Sequence, residues 1–137
     1  MKDTKATIRY AGDDFFVAVS PSGHAITLDV NGERSAAPSP FELLVMALGA
    51  CTGADVIDIL RKKREMVTEY RIEVHGERRE EHPRSLKRIE VRHILQGHGL
   101  TDKGVAHAIE LSDTKYCGVA ATLRPTAEIV TTYEILQ

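Results

Sequence analysis

Two thiols, Cys51 and Cys117, are the residues with the sharpest chemical potential in this chain. They form neither a Cys-x-x-Cys pair nor a four-ligand metal spacing. A permanent bridge is not expected in a reducing compartment. Two readings stay open: a pair of inert buried thiols, because free cysteine behaves as a small hydrophobe, or a redox pair. The histidines at 24, 75, 82, 93, 98 and 107 form no HExxH or His/Cys zinc pattern. They read as surface or internally satisfied rings, so neither a metal nor a cofactor is expected.

The surroundings of the thiols distinguish them. Cys51 closes the apolar run from Leu43 to Ala50. Burial there raises a thiol's pKa and makes it inert. It also lies about eleven residues into a helix, ~16 Å from the start, beyond reach of the helix dipole. A nucleophilic Cys51 therefore needs a cation from elsewhere, and Asp55, one turn on, would oppose its thiolate if ionised nearby. Cys117 begins a helical turn instead, where unpaired N–H groups favour a thiolate.

The helix that carries Cys51 is well marked. Ser39 caps it, Pro40 suits its first position and Glu42 completes a capping box. It is expected to run to about Arg64, with terminal cations Arg61 to Arg64 matching the dipole. The front half is apolar on nearly every side, so it should be covered all round, by sheet or by another subunit.

Around it the chain alternates with period two. Ala6, Ile8 and Tyr10, then Phe15 to Val19, then Ile26, Leu28 and Val30 read as three strands, with turns at Gly12–Asp14 and Pro21–Gly23. Tyr70, Ile72 and Val74 form a fourth. Leu86, Ile89, Val91, Ile94 and Leu95 form a fifth, with a break near His93 that suggests a bulge. Thr101 caps a second helix carrying Val105, Ala106, Ile109 and Leu111, with Leu100 and Val105 as a staple. A short helix from about Cys117 to Leu123 follows, stopped by Pro125. The last strand presents Ala127, Ile129, Thr131, Tyr133 and Ile135. The order βββ–α–ββ–α–α–β is α+β.

Composition agrees with one domain over residues 1–137. Apolar residues make up 42% and charged residues 28%, and the net charge is −2. These values exclude a disordered tail and argue against a dedicated nucleic-acid binder. Residues 61–92 hold 11 Lys/Arg and 7 Asp/Glu, but they interleave, as in a solvated hairpin. No signal core opens the chain and no apolar run reaches membrane-spanning length, so a cytoplasmic protein without membrane partners is expected.

The run Ala37-Pro-Ser-Pro-Phe-Glu-Leu-Leu-Val-Met-Ala-Leu-Gly-Ala-Cys51, followed by Tyr116-Cys-Gly-Val119, resembles the OsmC/Ohr family. Ser22-Gly-His24, Asp55-Val-Ile57, Glu77-Arg-Arg-Glu-Glu81 and Leu111-Ser112 are similar to its YhfA-like branch in particular. The likeness covers nearly the whole chain. It implies antiparallel sheets wrapped around a long central helix in an intertwined homodimer. It also implies a thiol-dependent peroxidase for organic hydroperoxides, with Cys51 attacking the peroxide and Cys117 resolving the sulfenic acid as a disulfide. An external dithiol then reduces that disulfide. The family's helix-start glutamate maps onto Glu42, and its activating arginine onto Arg34, with Arg9 as a weaker candidate. An apolar pocket beside Leu43, Met46 and Leu48 would favour lipid-like or aromatic hydroperoxides. The chain departs from the hydroperoxidase branches at Gly118, where they have proline, and at Thr52, where they have an aromatic residue. The rival reading is a peroxidase-inactive protein of this fold that binds a small apolar ligand in the dimer crevice.

Helix geometry adds a constraint. Glu42 and Cys51 are nine residues apart, on opposite faces and ~13 Å apart along the axis. They could share a site only if two such helices ran antiparallel across a two-fold axis.

Overall fold

The computed structural model describes residues 3–137. The chain divides into two compact units, one ending at Leu44 and one spanning Val45–Gln137. The α+β element order is the one expected.

The N-terminal unit is an antiparallel meander of β1 (Thr7–Gly12), β2 (Phe15–Val19) and β3 (Ala25–Asp29). Asp13 and Asp14 join β1 to β2, both at positive φ (53° and 64°). A two-residue hairpin turn needs that conformation to match strand twist, and Asp tolerates it. The β3 strand ends on buried Leu28 and Asp29.

The long helix α1 (Pro40–Lys62) starts where the sequence places it. The Ser39 backbone N–H donates to Glu42 Oε1 at 2.9 Å, and the Glu42 N–H donates to Ser39 Oγ at 3.1 Å. Its end falls two residues short of Arg64, because Arg64 turns to φ +60° and the Glu65 N–H closes on the Leu60 carbonyl.

The second unit holds the sheet β4 (Met66–Arg78), β5 (Leu86–His98) and β6 (Glu128–Ile135), in that order. β4 and β5 are antiparallel, but β5 and β6 run parallel, so the expectation of wholly antiparallel sheets is corrected here. A parallel pair needs a crossover. The crossover is α2 (Asp102–Leu111), a π-helical turn (Ser112–Tyr116) and α3 (Gly118–Leu123). Thr101 caps α2 as expected, its hydroxyl accepting the Gly104 N–H at 2.9 Å.

The core of this unit joins Val56 and Leu60 of α1, Leu95 of β5, and Val105, Ala108 and Ile109 of α2. Small residues bring α1 against β4: a Cβ on Gly49 would sit 3.1 Å from Val74, and one on Gly53 2.6 Å from Ile72. The charges of the basic stretch pair on the opposite face: Arg88 with Glu128 and Glu90, Arg92 with Glu134, and Lys87 with Glu77.

Two expectations need correction. No bulge occurs at His93. The β4–β5 register runs unbroken from Glu69 to Glu77 and shifts only near its ends. The alternation fails at His93 because a polar ring occupies an inward position between Val91 and Leu95, and it is fully buried. Within one chain the front of α1 keeps an open side, Met46 being 54% exposed and Ala47 and Ala50 open too. The other correction is that α1 does reach membrane-spanning proportions by length and composition. That apolarity is partly used by the glycine-lined face on β4.

Candidate active site

Both thiols belong to the second unit, and the fold brings them together. Cys51 lies on α1, half-buried, and Cys117 is the buried residue that caps α3. Its sulfur accepts the Ala120 N–H at 3.4 Å, which stabilises a thiolate. Burial works the other way and wins: it pushes the Cys117 thiol up to about 11, with a hydrogen-bonding interaction with Cys51 and the charge of Asp55 adding to the rise. Cys117 is therefore protonated at neutral pH, contrary to the thiolate expected from its position at a helix start. The α3 helix has only six residues, too few for its dipole to overcome desolvation. Both cysteines are free thiols.

A polar brace lies alongside. Ser112 is fully buried, and its hydroxyl donates to Asp55 Oδ2 at 2.8 Å. With that proton committed, the Ser112 oxygen accepts from the Thr52 hydroxyl at 2.9 Å. The Ser112 carbonyl accepts the Cys117 N–H at 2.9 Å across the π-helical turn. The widened turn makes this bond i→i+5. The sequence offered Ser112 only as part of a resemblance and Asp55 as a charge one turn beyond Cys51, with no sign that the two meet. Thr52, marked as a departure from related sequences, turns out to be a donor in this network.

Arg34 and Glu42 belong to the N-terminal unit, where each has partners. Arg34 donates Nε and Nη2 to the two oxygens of Asp29, at 2.8 and 2.9 Å. It also donates Nη1 to Asp13 Oδ2 at 3.0 Å and Nη2 to the Asp13 carbonyl at 2.6 Å. Its guanidinium stacks 4.1 Å above the Phe15 ring. Asp29 additionally accepts the Ala36 and Asn31 N–H groups. The Arg34 bonds hold the Asp29 carboxyl well below the usual range, against the opposing effect of burial. Glu42 is engaged in the capping box. Arg9, on β1, is exposed.

An apolar groove of about 410 Å³ runs along the open side of α1, between Val45, Met46, Gly49 and Ala50 and the β4 residues Ile72 and Val74. It shares Met46 with the pocket expected from the sequence. Leu48 is buried elsewhere on the helix. Among the described residues no group of His, Cys, Asp and Glu is arranged to hold a metal.

Comparison with known proteins agrees with this architecture. Protein YhfA of Escherichia coli strain K12 is 39% identical over 133 residues, 96% of this chain and 98% of that protein. The crystal structure of a hypothetical protein from Aquifex aeolicus VF5 superposes with a TM-score of 0.89 at 30% identity, covering 99% of this chain and 98% of that one. An organic hydroperoxide resistance protein from Elizabethkingia anophelis shares the fold at a TM-score of 0.73 and 16% identity, covering 99% and 98%. A family model described as OsmC-like protein matches residues 31–132, so the chain belongs to the OsmC-like family.

Proposed function

We propose that this protein is a thiol-dependent peroxidase for organic hydroperoxides, using Cys51 as the attacking and Cys117 as the resolving thiol. What supports the reading is that two free thiols from positions 51 and 117 lie near enough for Cys51 to add to the rise of the Cys117 pKa. The Cys51 thiolate attacks the distal peroxide oxygen, the O–O bond breaks, and the alkoxide leaves as alcohol after taking a proton. Cys51 becomes a sulfenic acid. The Cys117 sulfur then bonds to the Cys51 sulfur, and hydroxide leaves as water with the Cys117 proton. An external dithiol reduces the disulfide by exchange. No cofactor takes part. A cytoplasmic setting keeps the resting thiols reduced.

The cation for Cys51 is Arg34, supplied within a homodimer in which two α1 helices meet about a two-fold axis and Glu42 of one chain approaches the site of the other. Asp13 is the exposed partner of Arg34 and the one that can exchange, whereas Asp29 is buried. The apolar groove beside Ala50 favours aromatic or lipid-like hydroperoxides over hydrogen peroxide. That groove also supports the second reading, an apolar ligand site beside unreactive thiols.

Intact mass after titration with cumene hydroperoxide tests the reading. The wild type is expected to lose two hydrogens, and Cys117→Ser to gain one oxygen that dimedone traps. Unchanged mass in both, with ligand binding retained in Cys51→Ser, supports the binding protein instead.

A further inference from the structure

We propose that Ser112 is the positioning residue for the second step, holding Cys117 within attacking range of Cys51. This inference rests on the peroxidase reading. One fully buried side chain connects both thiol-bearing segments. Its hydroxyl bonds to Thr52, the residue after Cys51, and to Asp55, one helical turn further on. Its carbonyl holds the Cys117 N–H. Ser112 thus ties the π-helical turn to α1 at the level of the sulfurs.

The need for such a tie follows from the chemistry. Cys117 must approach the Cys51 sulfur opposite the leaving hydroxide, and small losses of alignment in an intramolecular step cost rate steeply. The crossover segment is a poor holder by itself, being a π turn followed by a six-residue helix. Asp55 has a second effect. Burial keeps Cys117 a thiol and the Asp55 charge adds to that effect, so Cys117 acts once the sulfenic acid has formed on Cys51. No atom of Ser112, Thr52 or Asp55 is consumed. The step remains Cys51–SOH plus Cys117–SH giving the disulfide and water.

The test separates the two steps by quenching wild type, Ser112→Ala and Thr52→Val at intervals after one equivalent of cumene hydroperoxide and weighing the products. Circular dichroism establishes that each variant is folded. Sulfenic acid formation is expected to stay within about twofold of wild type, while disulfide closure slows about tenfold in Ser112→Ala and about threefold in Thr52→Val. Asp55→Asn keeps an acceptor for Ser112 and is expected to retain closure, with its pH profile displaced to lower pH. Closure at the wild-type rate in Ser112→Ala, or an equal slowing of both steps, overturns the proposal.

A second measurement does not depend on peroxidase activity. Equilibration with glutathione redox buffers gives the effective concentration of Cys117 toward Cys51, expected to fall about tenfold in Ser112→Ala. If wild type forms no sulfenic acid but this fall occurs, the peroxidase reading fails and the positioning role stands. If the effective concentration is unchanged, the positioning role fails.

Discussion

The Tyr70 hydroxyl lies 2.6 Å from Nδ1 of His93, on neighbouring strands of the second sheet, with the His93 ring fully buried. Nε2 has no partner among the described residues, so the site accommodates a neutral ring but not a second proton. Burial lowers the His93 pKa from 6.5 to about 4. The unfolded chain takes up a proton as pH falls through 6.5, and the native state only near 4. The stability from the neutral ring is therefore complete above pH 6.5 and drains away toward pH 4, by about 3 kcal/mol. Urea midpoints measured from pH 7 to 4 should show this slope, and His93→Gln should flatten it. An equal slope in the variant would assign the acid sensitivity to other groups.

Two glycines of the second unit differ in what surrounds them. A Cβ on Gly97 would run into the Met66 backbone carbonyl, which cannot move without disturbing the β4–β5 pairing. A Cβ on Gly53 would meet the far end of the Ile72 side chain at 2.6 Å, which can rotate. Gly97→Ala is expected to cost about 3 kcal/mol or more, and Gly53→Ala about 1–2 kcal/mol. Paired denaturation curves decide it, and a smaller loss for Gly97→Ala counts against the register described.

Cys117 should alkylate slowly. With its pKa pushed up to about 11, its thiolate fraction at pH 7.5 is on the order of 0.1% or less. Asp55 contributes to that rise, so Asp55→Asn should lower the pKa and speed iodoacetamide labelling of Cys117 about threefold in a Cys51→Ser background. Unchanged or slower labelling would mean that burial, not the Asp55 charge, governs this thiol.

Met46, Ala47 and Ala50 leave an apolar stripe open on α1. If a second copy covers it, light scattering of the wild type gives twice the chain mass, and the double change Met46→Glu with Ala47→Glu shifts it to the monomer. A wild-type monomer at micromolar concentration would remove the two-chain site.

Much of this is legible in the amino-acid sequence alone. The α1 start was readable because Ser39, Pro40 and Glu42 each carry a capping role whatever the tertiary setting, and the Thr101 cap for the same reason. The His93 position was misread because alternation reports polarity, and a buried histidine looks like a slipped register. The thiol pair emerged through resemblance. The brace of Thr52, Ser112 and Asp55 left no local trace, since Ser112 is 60 positions from Thr52 and 57 from Asp55 and hydroxyls are ordinary helix residues. The state of Cys117 was misjudged because a helix start is visible in sequence and desolvation is not.

The parallel pairing of β5 with β6 has a topological consequence. Had the last strand returned by a hairpin, the chain between them would have been a tight turn at the sheet's edge, with no route across the layer occupied by α1. Running both strands the same way obliges the intervening segment to travel the length of the sheet, and α2 does so against Val56 and Leu60. The neighbourhood of Cys117 and α1 is in this sense a by-product of chain direction, because the return path that β6 requires carries Cys117 back past the helix that holds Cys51.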